Sequence, residues 1–324
     1  MRRLFVNGEN RPRAGWRLLF QFLLNNAGGL LLGSLVLVAF GGLSAGGTGP
    51  LSSLYLNVLL YAATALAAVA SVWIAGRFLD RRPFSGFGLR LNRAWWSDLG
   101  FGLILGASLM AAIFAVEFAA GWVTVTGSFE PVDGGTFFPA ILAPVALFVC
   151  VGFYEELVSR GYQLTNLAEG LDTPGIGPRG AILLAWVLSS SFFGILHAFN
   201  PNTTPLSTIN IALAGLMLGL GFVLTGELAI PIGLHITWNF FQGNVFGFPV
   251  SGLDPVGATF LTTDQTGPDL LTGGPFGPEG GLLAPAAMLA GCLLIALRVR
   301  RRSGNLTPHT PIAENPTRDR QTNR

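Results

Sequence analysis

The chain has 324 residues, of which 51% are hydrophobic and only 11% charged, and its mean hydropathy is +0.56. A soluble domain carries about a quarter charged residues, so this composition excludes a water-soluble globule and indicates an integral membrane protein. The net charge is only +2, which argues against a nucleic acid as partner.

Apolar stretches close to the length that a helix needs to cross a bilayer, about 20 residues, occur along most of the chain. In chain order, we predict spans at Leu18–Leu43, Leu51–Gly76, Leu99–Trp122, Phe138–Gln163, Ala181–Phe199, Leu206–Leu224, Leu228–Phe248 and Leu282–Leu297. The predicted fold is therefore all-α and polytopic, with about eight transmembrane helices.

The distribution of arginine indicates the orientation of these spans. All nineteen basic residues are arginines, and in an eight-span arrangement every one falls on the side that holds both termini. By the positive-inside rule, the N- and C-termini are predicted to be cytoplasmic.

Outside the spans, the sequence predicts three further segments. Residues 1–17 form a cytoplasmic N-terminal segment, and residues 298–324 follow the last span, with a polar disordered tail from Ser303. Residues 249–281, rich in Gly and Pro, form an external loop, for which we favour an irregular tether over a lid. The membrane domain is predicted over 18–297.

Ionisable residues inside predicted spans are candidates for function, because charges are costly to bury in lipid. In the fourth span, Glu156 and Arg160 are four residues apart and can form an ion pair on one helical face. Glu155 points about 100° away, which leaves its carboxylate without that cation and suits it to act as a general base or acid. A solvated helix end would explain the same pattern.

Two histidine motifs lie in later spans. Phe193 precedes His197 by one helical turn, so its ring can pack beneath the imidazole. His235 and Asn239 are again four residues apart, so both can donate hydrogen bonds from one face.

The three motifs, Glu-Glu-x-x-x-Arg, Phe-x-x-x-His and His-x-x-x-Asn, occur in this order on separate helices, and together they resemble the CPBP family. This family contains CAAX-type and bacteriocin-processing intramembrane proteases, which are related to type II CAAX prenyl endopeptidases. The resemblance covers about residues 145–243, and it implies a protease core there. It also implies a multi-pass protein of a prokaryotic plasma membrane.

The resemblance implies a role for each matching residue. Glu155 and His197 would activate a water molecule for attack on a peptide carbonyl, and His235 with Asn239 would stabilise the oxyanion. The supporting residues would be Glu156, Arg160 and Phe193.

The residues leave open whether a metal takes part. Glu155, His197 and His235 could also ligate zinc, with water as a fourth ligand. We favour a mechanism without a cofactor, because Asn239 is a poor zinc ligand but a good hydrogen-bond donor.

The expected partners are the lipid bilayer and a peptide or protein substrate that is reached within the membrane, either lipidated or carrying a leader. A non-enzymatic alternative is a proton-coupled transporter or an immunity-type binding protein that uses the same residues. No second copy of the motifs is found in the other half of the chain, which disfavours a transporter built from repeats.

Overall fold

The computed structural model describes residues 5–43, 50–132 and 135–314, and most of these residues are helical. The α-helices are α1 (Ala14–Leu43), α2 (Pro50–Ala75), α3 (Arg93–Ala119), α4 (Phe137–Glu156), α5 (Thr165–Leu171), α6 (Gly177–His197), α7 (Pro205–Thr225), α8 (Ala229–Phe240), α9 (Asp269–Thr272) and α10 (Leu283–Ser303). Three π-helical segments continue them: Gly76–Asp80 after α2, Leu157–Leu164 between α4 and α5, and Phe241–Val245 after α8.

Seven helices in the described ranges are long and apolar enough to cross a membrane. They are α1, α2, α3, the continuous run from α4 to α5, α6, α7 and α10. The prediction of a polytopic, predominantly α-helical membrane protein is therefore confirmed. The cytoplasmic location of the termini stays a prediction.

The predicted seventh span, Leu228–Phe248, differs from the others. Its α-helix, α8, has only 12 residues before the five-residue π-helical segment, so it is not among the helices long enough to span. Nine residues of α8 are buried inside the protein. Because other helices surround α8, its length is not set by the thickness of the bilayer.

Helix α8 packs against α3 with backbone in contact with backbone. A Cβ atom on Gly102 would lie 2.4 Å from the carbonyl oxygen of Ile230, and one on Gly106 would lie 2.3 Å from that of Leu234. Only glycine permits this approach, as expected for small residues at helix interfaces in membranes. The contact fixes the depth and rotation of α8, and hence the position of the side chains that α8 carries.

A two-stranded antiparallel sheet lies at one end of the helix bundle, which we call the ribbon end. Strand β1 (Val123–Pro131) follows α3 and pairs with β2 (Ala258–Gln265), which belongs to the segment predicted as an external loop. The expectation of an irregular tether over 249–281 is therefore wrong. Pairing with β1 satisfies the backbone hydrogen-bonding groups of β2, which an isolated loop could not do.

The opposite end of the bundle, the terminal end, holds a buried group of charged residues that we call the arginine cluster. Its members are Arg11, Arg17, Asp80, Arg82 and Glu169. Arg17 donates to Asp80 at 2.8 Å and contacts Glu169 at 3.1 Å, and Arg11 also contacts Glu169. These contacts tie the N-terminal segment to the ends of α2 and α5.

The C-terminal segment also packs onto the terminal end. Ile312 and Ala313 are buried, the backbone amide of His309 donates to the carbonyl of Val223, and Arg82 donates to the carbonyl of Glu314. The prediction of disorder from Ser303 is therefore wrong for residues 303–314, because apolar burial and hydrogen bonds hold this stretch against the bundle. Residues 315–324 lie outside the described ranges.

Candidate active site

The residues of the three sequence motifs meet at one cavity inside the bundle. The cavity has a volume of about 410 Å³, and its walls include Glu155 from α4, His197 from α6, and His235 and Asn239 from α8. All four side chains predicted to be catalytic thus share one cavity, although they come from three helices.

The two adjacent glutamates have different surroundings, as the helical geometry predicted. Glu156 is fully buried, and its Oε1 accepts a hydrogen bond of 2.8 Å from Nη1 of Arg160. The same Oε1 lies 2.8 Å from Nδ1 of His235. Glu156 therefore contacts both the guanidinium of Arg160 and the imidazole of His235. The contact with His235 could not be predicted from the spacing of the sequence motifs.

Glu155 lacks a guanidinium partner among the described residues, and it faces the cavity. Its Oε1 accepts a hydrogen bond from the hydroxyl of Tyr154 at 3.3 Å, while its Oε2 is buried without a hydrogen-bond partner. Oε2 lies 3.9 Å from Nε2 of His235. This carboxylate oxygen is therefore placed to accept a proton from a molecule that enters the cavity.

Phe193 organises the other histidine. Its ring lies 4.5 Å from that of His197 between centroids, so the predicted packing is confirmed. The guanidinium of Arg160 lies 4.4 Å from the centroid of the same ring, which is the geometry of a cation–π contact. In addition, Nδ1 of His197 lies 2.8 Å from the carbonyl oxygen of Phe193, so Nδ1–H can donate there and leave Nε2 for the cavity.

On α8, His235 and Asn239 both line the cavity and are both more than nine-tenths buried. Their spacing of one helical turn puts them on the same face. The cavity is thus lined, in close succession, by an imidazole and an amide that can each supply an N–H group.

The ribbon end contributes wall residues that the sequence motifs did not indicate. Glu279 lines the cavity and is only 4% exposed, and its Oε1 accepts hydrogen bonds from the backbone amide and the hydroxyl of Ser251. Burial raises the pKa of Glu279 above its usual range.

No local pattern could have identified Glu279, because it follows a Gly- and Pro-rich stretch that resembles any connecting loop. Asp254 and Val256 of the same segment also line the cavity. The only available signal was acidity, since the segment carries acidic residues and no basic ones.

The zinc alternative would require Glu155, His197 and His235 to converge on one ion. Among the described residues, no group of three or more His, Cys, Asp or Glu side chains could hold a metal ion. Nδ1 of His235 contacts Glu156, and no step proposed below depends on a metal.

Comparisons with known proteins agree with the resemblance that the motifs carry. Residues 137–241 match the Rce1-like family of type II CAAX prenyl endopeptidases, which confirms the family resemblance for this part of the chain. Over 228 residues, the chain is 26% identical to a protein of Bacillus subtilis (strain 168) that bears the name "Uncharacterized protein YyaK". That alignment covers 66% of this chain and 72% of the Bacillus protein. No solved structure matches the chain significantly.

The matched residues contain all the elements that line the cavity with motif residues, from α4 to the end of α8. The family match indicates a protease, and the apolar helices indicate a multi-pass membrane protein.

Proposed function

We propose that this protein is an intramembrane endopeptidase that hydrolyses peptide bonds of membrane-associated substrates, whether lipidated or carrying a leader. The observation that supports this best is the meeting of Glu155, His197, His235 and Asn239 at one cavity within an apolar helix bundle. Hydrolysis requires a base, an oriented water molecule and donors for the oxyanion, and these four side chains can supply each of them.

In the proposed reaction, Glu155 acts as the general base. Its Oε2 has no hydrogen-bond partner, so it can accept the proton of a water molecule as that water attacks the peptide carbonyl carbon. His197, fixed through Nδ1 and the ring of Phe193, orients the same water through Nε2. When the C–N bond breaks, the proton held by Glu155 passes to the departing amine.

The charge that develops on the carbonyl oxygen would be stabilised from α8. Asn239 donates through its side-chain amide, and His235 donates through Nε2–H in its doubly protonated form, with Nδ1–H donated to Glu156. With His235 protonated, two carboxylates face two cations, since Arg160 also contacts Oε1 of Glu156. Such a balance of charge lowers the free-energy cost of burying these charged side chains.

We further propose that substrates enter from the extracytoplasmic half of the membrane. The cavity walls include Ser251, Asp254 and Glu279, which belong to the connecting segment at the ribbon end. If the arginine-rich terminal end is cytoplasmic, this segment lies on the other side. A cysteine at position 254, in a Cys150→Ala and Cys292→Ala background, should then react with an impermeant thiol reagent on intact cells, whereas one at position 301 should not.

A proton-coupled transporter or immunity-type binding protein remains the competing proposal. It would use Glu155 and the histidines as a proton relay, without cleaving any bond. The family match at residues 137–241 favours the protease.

The proposal is tested by comparing the protein termini in membranes that contain wild-type protein with those in membranes that contain the Glu155→Gln variant. We expect wild-type membranes to show new peptide termini in or beside apolar segments, and the variant to show the uncleaved precursors. Glu130→Gln, which changes an exposed carboxylate of β1, is the matched control and should cleave like wild type. Identical termini in all three membranes would contradict the proposal.

A further inference from the structure

A second cavity lies at the terminal end, between the start of α3 and the end of α10, and it is separate from the candidate active site. Its volume is about 700 Å³. It is lined by Arg93, Ala94, Ser97, Phe101, Leu294, Leu297, Arg298, Arg301 and Arg302. The proposed protease mechanism uses none of these residues.

The charges around this cavity are not balanced. Asp98 is the carboxylate that contacts its arginines, and it pairs with Arg298 at 3.2 Å and with Arg302. Arg93 and Arg301 are exposed, and neither lies within ion-pair distance of a carboxylate in the ranges that the structure describes. One carboxylate thus faces four guanidinium groups, and the surplus of positive charge attracts an anion.

The cavity also has an apolar part, which distinguishes it from a simple patch of surface charge. Leu294 and Leu297 lie one turn before the arginines of α10, toward the middle of the helix, and each is more than 40% exposed. Phe101 lies at the corresponding depth on α3, and the guanidinium of Arg298 rests over its ring at 5.5 Å. Arginines therefore form the rim of the cavity, and apolar side chains lead from it along helices that cross the membrane.

We propose that this cavity binds one anionic phospholipid, which we call the lipid site. The phosphate would be held by Arg93 and Arg301, since guanidinium groups form bidentate hydrogen bonds with phosphate oxygens. An acyl chain would lie along Leu294, Leu297 and Phe101. Basic pockets between transmembrane helices at the cytoplasmic surface suit such headgroups, and the position of the pocket among arginine-rich segments fits the predicted orientation.

The two arginines assigned to the phosphate can be removed with little risk to folding, because both are exposed and make no ion pair among the described residues. The test variant is the double substitution Arg93→Gln and Arg301→Gln. The matched control is Arg179→Gln and Arg300→Gln, which removes the same charge from exposed positions that do not line the cavity.

The experiment measures lipid binding to the purified full-length protein in detergent. Native mass spectrometry and the shift in unfolding temperature are the two readouts. Each protein is titrated with phosphatidylglycerol, with phosphatidylcholine and with inorganic phosphate. We expect wild type and control to bind phosphatidylglycerol more tightly than phosphatidylcholine. The test variant should lose about ten- to thirty-fold in affinity for phosphatidylglycerol, since each arginine near an anionic headgroup contributes about 1 kcal/mol.

Three outcomes would overturn the proposal. An equal loss of affinity in the test and control variants would mean that binding depends only on overall charge. Equal affinity of wild type for the two lipids would mean that the phosphate-binding arginines are not used. Inorganic phosphate that binds wild type as tightly as phosphatidylglycerol does would mean that the apolar part of the cavity contributes nothing.

Discussion

The arginine cluster at the terminal end and the charged group at the cavity both bury carboxylates, but they pair them differently. In the arginine cluster, both Asp80 and Glu169 contact guanidinium groups. At the cavity, Glu156 is paired in the same way with Arg160, whereas the adjacent Glu155 contacts no guanidinium among the described residues.

This difference separates a structural role from a chemical one. A carboxylate that is held by a buried cation is stabilised in its charged form and is therefore a weak base, and its removal leaves buried positive charge uncompensated. A carboxylate that faces a cavity without a guanidinium partner, as Glu155 does, contributes little to the fold but remains available for chemistry. The comparison therefore predicts which substitutions change stability and which change activity.

The largest expected effect is on stability, from Glu156→Gln. This change leaves Arg160 buried without its carboxylate, and Nδ1 of His235 no longer faces a charged acceptor. The free energy of unfolding should fall by about 3–5 kcal/mol, the usual cost of breaking a buried ion pair from one side. Chemical unfolding of the detergent-solubilised protein measures it, with Glu130→Gln as the control. A Glu156→Gln variant as stable as wild type would mean that the Glu156–Arg160 ion pair does not stabilise the folded protein.

The next effect is on turnover, from Asn239→Ala. If Asn239 donates to the oxyanion, its loss should lower kcat by about 10²–10³, while KM stays nearly constant because the donor acts in the transition state. The assay uses a substrate identified from the membrane termini. A variant with unchanged kcat and a raised KM would show that Asn239 binds substrate instead.

The smallest effect concerns Glu279, and its sign follows from the raised pKa. A carboxyl group with a higher pKa in the folded protein contributes stability that is fully present below its unfolded pKa, about 4.3, and lost as the pH rises through the folded pKa. Glu279→Gln cannot ionise, so its unfolding free energy should depend less on pH across this range. At a pH above the folded pKa, the unfolding free energy of the Glu279→Gln variant should equal that of wild type or exceed it by about 1 kcal/mol. Parallel pH profiles of the two proteins would contradict this assignment.

Much of the fold could be predicted because it depends on local sequence. Long apolar runs give the spanning helices, and the spacing of Glu155, Glu156 and Arg160 gave the contrast between the two glutamates. The family resemblance supplied the association of His197 with His235 and Asn239, which lie on another helix and which no local rule links to it.

The features that were missed depend on contacts between residues far apart in the chain. The pairing of Val123–Pro131 with Ala258–Gln265 and the hydrogen bonds of Ser251 to Glu279 leave no periodic pattern in either partner. The enclosure of helix α8 by other helices could not be predicted, because an apolar composition is the same for a helix that faces lipid as for one enclosed by protein.

The central claim is that Glu155 serves chemistry and the arginine cluster serves the fold. It is tested most directly by measuring both unfolding free energy and cleavage rate in Glu155→Gln and Glu169→Gln side by side. The account predicts opposite results: Glu155→Gln should lose about 10²–10⁴ in cleavage rate with stability near wild type, because it loses the base alone. Glu169→Gln should lose about 3–5 kcal/mol of stability while the molecules that remain folded cleave at the wild-type rate. Wild-type cleavage by Glu155→Gln, or a loss of stability as large as that of Glu169→Gln, would contradict it.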